Sequence, residues 1–348
     1  MYKTLSRFSL LLLVIIASAV SSFAQGWHPD RFLPGYEEIT VNQPDDYSGA
    51  VRCTVVRKLT PEPSHIGVLY VHGYNDYFFQ SELGDTFVDS CYNFYAVDLR
   101  KYGRSLSADQ TPYECRNISE YYPDINAAVS LMLEQGIDSI ILMGHSTGGL
   151  IVASYMNNAP SRNIKGVILN SPFLEWNMGG FMRNFAIPIV SWIGSWWPRL
   201  AISQGDGTAY AESLLSQYHG EWSYDTNLKT VHPRKVTAGW IRTITLAQKA
   251  LRKDSDIKCP VLLMHSDKSV YGNKWTVEHN RGDAVLNVDD IVKYGKTLGS
   301  DVTQITIPDG LHDLALSAPA VRHFYYTAIF AWLRANALMP QPSHTLYY

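Results

Sequence analysis

Short, unbroken apolar runs separated by amphipathic stretches dominate the pattern of the chain. Ile66–Val71 (IGVLYV), Asn93–Val97 (NFYAV), Ser139–Met143 (SIILM), Lys165–Leu169 (KGVIL) and Val261–Met264 (VLLM) lack polar alternation, as strands buried on both faces do. Between them the apolar period lengthens to that of a helix. Ser119 to Gln135 predicts one helix, with Ser119 as cap and Ala127, Ala128, Leu131 and Met132 on one side. Thr147–Asn157, Val288–Leu298 and Pro319–Asn336 predict three more. Strands alternating with helices imply a mostly parallel sheet with helices on both faces, an α/β fold. Near the start, Tyr36–Val41 and Val51–Leu59 alternate around a Pro-Asp-Asp-Tyr-Ser-Gly turn, which predicts an antiparallel hairpin.

One stretch breaks the alternation. Residues 173–250 show no convincing strand and hold six of the nine tryptophans: Trp176, Trp192, Trp196, Trp197, Trp222 and Trp240. With Pro188 and Pro198 as punctuation, the stretch reads as several short helices inserted over the strand ends as a cap. Most of its aromatics are expected to pack the insertion's own core. The chain therefore divides into a first core part (25–172), the cap (173–250) and a second core part (251–348).

The first 24 residues carry a different pattern. Lys3 and Arg7 precede the uncharged run Leu10–Val20, and Ser22-Phe23-Ala24 supplies small residues for cleavage before Gln25. This is the pattern of a secretory signal peptide, so export to the periplasm or the medium is expected. Lys plus Arg number 29 against 32 acidic residues, a net charge of −3 that gives nucleic acid no basic footprint. Export would permit bridges among Cys53, Cys91, Cys115 and Cys259. Cys53 and Cys259 read as buried thiols, and Cys91 with Cys115 is the pair to consider.

The strongest chemical signal is Gly144-His145-Ser146-Thr147-Gly148, followed by Gly149. The run Ile140–Met143 enters it as a strand, and Leu150–Asn157 leaves it as a helix. So tight a turn strains the serine backbone and needs glycine on either side, and it lifts Ser146 above the sheet as a nucleophile. The same turn aims the Thr147 N–H and the positive helix end at a developing oxyanion. A hydroxyl nucleophile needs a base. The last strand, Val302–Pro308, is followed by Asp309-Gly310-Leu311-His312-Asp313, which makes His312 that base. His265 closes the preceding strand and reads as a packed residue. Val71-His72-Gly73-Tyr74 follows the first buried strand, and Gly73 lets the Tyr74 N–H serve as the second oxyanion donor. His72 reads as structural, and Asp98–Ser105 (DLRKYGRS) as a loop-fixing segment.

These elements, HGY at 72–74, DLRKYGRS at 98–105, GHSTGG at 144–149 and GLHD at 310–313, resemble in order and spacing the α/β-hydrolase superfamily, in its serine aminopeptidase (S33) and monoacylglycerol lipase-like group. The resemblance spans nearly all of the mature chain and is weakest across 173–250. It implies a hydrolase sheet with a helical cap and hydrolysis of carboxylic esters or, less often, of N-terminal peptide bonds. The chain departs from the family in one place. Relatives carry H-G-x-x-D-x-x-V after the strand at 261–264, and the position of the histidine-orienting aspartate is here Ser269. Either Asp267 serves from two residues earlier, or an insertion returns the acid at Asp283, within Asp283-Ala284-Val285-Leu286-Asn287. Asp283 is preferred, because that stretch resembles the family's D-x-x-V before a helix. Asp289 and Asp290 then read as first-turn carboxylates facing the helix dipole.

The expected chemistry is acyl transfer to water through Ser146, His312 and an aspartate. No metal-ligand spacing, G-x-G-x-x-G or P-loop appears, so no cofactor is expected. The aromatic cap favours an uncharged, partly hydrophobic ester or lipid-like substrate and suggests transient contact with a membrane surface. An aminopeptidase would instead need carboxylates near the pocket, with Glu175, Glu212, Glu221 and Asp225 as candidates. A non-catalytic binding protein with a degenerate triad is the third reading, motivated by Ser269.

Overall fold

The computed structural model describes residues 26–340, so the run read as a signal peptide lies outside the described residues. Three antiparallel strands, β1 (His28–Pro29), β2 (Glu37–Asp46) and β3 (Gly49–Lys58), lead into β4 (Ile66–Val71), β5 (Asn93–Asp98), β6 (Ser139–His145) and β7 (Ile164–Asn170). The chain then leaves the sheet. That excursion contains a two-residue antiparallel pair, β8 (Ala201–Ile202) with β9 (Val236–Thr237), before β10 (Val261–Ser266) and β11 (Val302–Ile307) complete the sheet. The nine strands of the main sheet run β1-β2-β3-β5-β4-β6-β7-β10-β11, and every pairing from β5 to β11 is parallel.

The unbroken apolar runs have a direct physical origin, because alternate side chains of each strand feed two separate cores. Leu69, Val71, Ile140 and Leu142 face one core with α2 (Tyr122–Glu134), α3 (Thr147–Asn158) and α6 (Ala238–Lys253). Val68, Tyr70, Ile141 and Met143 face the other with α1 (Ser81–Asp89) and α7 (Pro319–Ala335). Each fully buried Val or Leu contributes about 1.5–3 kcal/mol, so loss of either face would unfold the sheet. The edge strand β11 is only partly buried, as its alternating Thr and Gln residues require.

Strand register sets up the site. Val71 pairs with Gly144, His145 with Asn170, Met264 with Asn170, and Ser266 with Ile307. The carboxyl ends of five parallel strands therefore lie level, and the loops that follow them open at one edge, where such sheets place ligands. The DLRKYGRS segment braces this edge from beside it. Buried Arg104 donates to Asp98 at 3.0 Å and to Asp30 at 2.8 and 3.0 Å, and Arg100 makes a forked pair with Asp124.

Several local expectations are corrected. The helix expected from Ser119 begins at Tyr122, and a 3-10 turn precedes it, capped by Asn117 in a reciprocal box with Glu120. α1, nine residues long, lies outside the helices expected from the sequence; it packs closely at Gly84, where a Cβ would fall 2.2 Å from the Tyr36 hydroxyl. The excursion after β7 holds a strand pair where none was expected; two residues per strand are too few to show alternation. Besides α6, it includes a π-helical turn (Met182–Ala186) that runs into α4 (Ile187–Ile193), and α5 (Ala209–Leu214). All four cysteines are free. Cys91 lies just before β5 and Cys115 in the loops that follow it, and the two are not bridged.

Candidate active site

Ser146 stands between β6 and α3 with φ +53° and ψ −118°, a conformation costly for a residue with a Cβ. Its backbone is held on both sides: its N–H donates to the Asn170 carbonyl at 3.0 Å, and its carbonyl accepts from Phe173 at 3.0 Å and Leu150 at 3.2 Å. The turn demands glycine at 148, where a Cβ would sit 2.3 Å from the carbonyl oxygens of both Val71 and His72. Strain at 146 and bare backbone at 148 thus have one cause: the first loop crosses directly over the turn. A Cβ at Gly73 would meet the Ser146 Cβ at 3.1 Å.

His312 reaches the serine from the far end of the chain. Its Nε2 lies 2.9 Å from Ser146 Oγ, and its Nδ1 lies 2.9 Å from Asp283 Oδ2. All three side chains are buried, Ser146 being 7% exposed. Asp283 Oδ1 accepts from the amides of Val285 at 2.8 Å and Leu286 at 2.7 Å, leaving Oδ2 for the imidazole. Asp267 does not enter this line: its Oδ1 accepts from the Asp309 amide at 2.9 Å, pinning the loop before the histidine. Ser269, at the family's acid position, accepts instead from the Val288 amide at 2.9 Å.

The remaining sequence candidates occupy distinct places. Tyr74 and Thr147 line the same cavity as Ser146 and His312, and Thr147 is the first residue of α3, where N–H groups have no intrahelical partner. His72 bonds the Gly73 carbonyl through Nδ1 at 2.8 Å and accepts from the Leu99 amide through Nε2 at 3.1 Å, which fixes the loop. His265 donates to the Ser266 carbonyl at 2.6 Å, and burial holds its pKa below the usual histidine range. Glu175 pairs with Arg252, Glu212 bonds Thr208, Glu221 pairs with Arg322, and Asp225 accepts from Asn227. None of the four lines the cavity, whose one acidic lining residue among those described is Asp206.

Beneath the triad lies a buried polar group that the sequence did not single out. Asp76, His145 and Asp313 bring their ligand atoms within 4.8 Å of one another, an arrangement that could hold a cation. The Lys229 ammonium, 3.0 Å from Asp76 Oδ1, already supplies positive charge there, and Asp313 accepts from Asn170 at 2.8 Å and Gln80 at 3.0 Å. Burial opposes ionisation of Asp313, yet neighbouring His145 and these donated bonds hold its carboxyl below the usual range. Burial pushes His145 down to about 4. The Tyr210 ring meets His312 edge-on at 5.6 Å with its hydroxyl buried and unpartnered. His145 and Asp313 stand inside the GHSTGG and GLHD motifs and Asp76 two residues after HGY, but nothing in their spacing joins the three.

The cavity encloses about 450 Å³ and is walled by Phe173, Trp176, Leu214 and Trp240 on the apolar side. A strained serine at the carboxyl edge of a parallel sheet, with histidine after the last strand, defines an α/β-hydrolase. The chain belongs to the serine aminopeptidase, S33 family, whose model matches residues 62–316. It is similar in structure to a soluble variant of monoglyceride lipase from Saccharomyces cerevisiae (TM-score 0.62, 17% identity, 86% of this chain and 96% of that one). It is also similar to the monoacylglycerol lipase of Paleococcus ferrophilus (0.58, 20%, 81% and 99%) and to a thermophilic esterase from Thermogutta terrifontis (0.55, 17%, 86% and 99%). No curated protein matches the chain in sequence.

Proposed function

We propose that the protein is a serine hydrolase that cleaves uncharged, partly hydrophobic carboxylic esters through an acyl-enzyme. The supporting observation is the line Asp283–His312–Ser146, with both hydrogen bonds at 2.9 Å, at the floor of the aromatic cavity. In this reading Ser146 Oγ attacks the ester carbonyl and His312 Nε2 takes its proton. The Thr147 and Tyr74 amides hold the oxyanion, and His312 then protonates the departing alcohol. Water, deprotonated by His312, releases the acid. Asp283 keeps the imidazole in the tautomer with Nδ1 protonated and offsets its charge. The binding-protein reading was motivated by Ser269, and the hydrogen bond from His312 to Asp283 weighs against it.

Ester preference over aminopeptidase activity is favoured by the lining, where apolar rings outnumber the single carboxylate Asp206. A graded series of p-nitrophenyl esters set against aminoacyl p-nitroanilides tests it. Hydrolysis of the esters with no cleavage of the anilides is expected, and the reverse order would replace the reading by aminopeptidase.

The same proposal includes contact with a lipid–water surface. Phe181 (73% exposed), Trp196 (68%) and Trp197 (65%) stand out together with Phe185, Ile189 and Trp192, and the run is continuous with cavity residues Trp176 to Met178. Among the described residues no helix is long and apolar enough to cross a membrane, so this patch would lie in the interface. Sedimentation with phosphatidylcholine vesicles, lost in Trp196→Ala/Trp197→Ala, is the expected result. Export is proposed from residues 1–24, and mature protein beginning at Gln25 in the exported fraction is the check.

A further inference from the structure

Four consecutive side chains of the loop over the nucleophile, residues 74 to 77, each bond to the excursion that follows β7. Tyr74 Oη donates to the Arg234 carbonyl at 2.9 Å. Asn75 fits its side-chain amide against the backbone of Thr230. Its Oδ1 accepts from the Thr230 N–H at 3.0 Å and its Nδ2 donates to the Thr230 carbonyl at 2.9 Å. Asp76 pairs with Lys229 at 3.0 Å, both side chains being buried. Tyr77 Oη accepts from the Asp225 amide at 2.9 Å.

We infer that the segment 225–234 is a positioning clamp for the oxyanion loop, so that seating of the cap and completion of the oxyanion hole are one event. The inference deepens the serine hydrolase reading and rests on it. Asn75 is the keystone. It holds φ +48°, a left-handed conformation that few residues besides glycine and asparagine adopt readily, and its reciprocal pair with Thr230 holds both the side chain and that backbone angle. The Tyr74 amide precedes this strained position, so its direction depends on the angle being held. Lys229 adds a charge-assisted tie at the next residue, with its ammonium 5.6–5.9 Å from the rings of Phe79, Tyr210 and Tyr224. A cap lifted at 225–234 would release all four ties together and leave the serine with Thr147 as its one amide donor. These are positioning residues, because they act through the Tyr74 amide and touch no reacting atom.

Asn75→Gly tests the clamp, since glycine tolerates the left-handed angle while removing every tie to Thr230. With p-nitrophenyl butyrate, kcat is expected to fall about 10- to 100-fold while KM stays within about twofold, the signature of an interaction lost in the transition state. Asn75→Asp keeps the acceptor for the Thr230 N–H and should recover part of the loss. Hydrogen exchange supplies the readout independent of turnover: peptides covering 72–79 should exchange faster in Asn75→Gly, with those covering β4 unchanged. Wild-type exchange with wild-type kcat would overturn the clamp and leave the hydrolase reading standing. A wild type that cleaves no ester would overturn the hydrolase reading and the catalytic half of the clamp with it.

Discussion

Asp283 stands beside Ser269 across a parallel backbone bridge: the Val270 N–H donates to the Asp283 carbonyl at 2.7 Å, and the Asp283 N–H donates to the Lys268 carbonyl at 2.9 Å. Residues 270–282 therefore form an excursion whose two feet touch, and the carboxylate arrives next to the position where the sequence lacks it. Two amides on Oδ1 then turn Oδ2 toward His312.

Replacement of Asp283 by Asn should lower kcat by about 10⁴-fold, because the amide favours the wrong imidazole tautomer. Asp267→Asn should stay within about tenfold of wild type, its carboxylate being bonded to the Asp309 amide instead. Steady-state kinetics on one ester distinguishes the two. Comparable losses in both would return the question of the acid to open.

The order of the site was legible because local rules write it. Ser146 is announced by its glycines and by the strand and helix on either side, and His312 by its place after the last strand. Asp283 needed more than local pattern, since nothing in residues 270–282 states that the excursion closes on itself. The sequence hid the partners of Asn75 and Asp76 for the same reason: Thr230 and Lys229 are more than 150 residues away and belong to a segment without periodic pattern. The Ser119 cap failed on a finer point, because Asn117 offered a full capping box two residues earlier.

Gly148→Ala introduces a methyl group 2.3 Å from two backbone oxygens that have no room to retreat. A loss of about 2–4 kcal/mol of stability is expected, read as a lower Tm, together with loss of esterase activity from displacement of the first loop. A variant of wild-type Tm would show the crossing of loop and turn to be looser than described.

Arg104→Met removes the one guanidinium that lies between Asp98 and Asp30, both fully buried. Breaking such a group from one side costs about 3–5 kcal/mol, so denaturant unfolding should shift to markedly lower midpoint. Adding Asp98→Asn and Asp30→Asn should return part of it, since uncompensated buried charge is the main penalty.

Acid should destabilise the fold through His145. Burial lowers its pKa to about 4 in the folded protein from the ordinary histidine value of about 6.5, so between these values the unfolded chain binds a proton that the folded one refuses. This contribution is complete above pH 6.5 and is lost as pH falls toward 4, amounting to about 3 kcal/mol. Urea unfolding at stepped pH should show stability rising with pH across that window, with a shallower rise in His145→Gln. An identical slope in both proteins would remove His145 from the account.

The central claim is that Ser146, bonded to His312, is a reactive nucleophile. Treating the folded protein with a fluorophosphonate and mapping the adduct by peptide mass spectrometry addresses it directly. The account predicts one stoichiometric adduct on Ser146, absent in Ser146→Ala and strongly slowed in His312→Ala. Folded wild-type protein that remains unlabelled, or that carries the adduct on another residue, would contradict it.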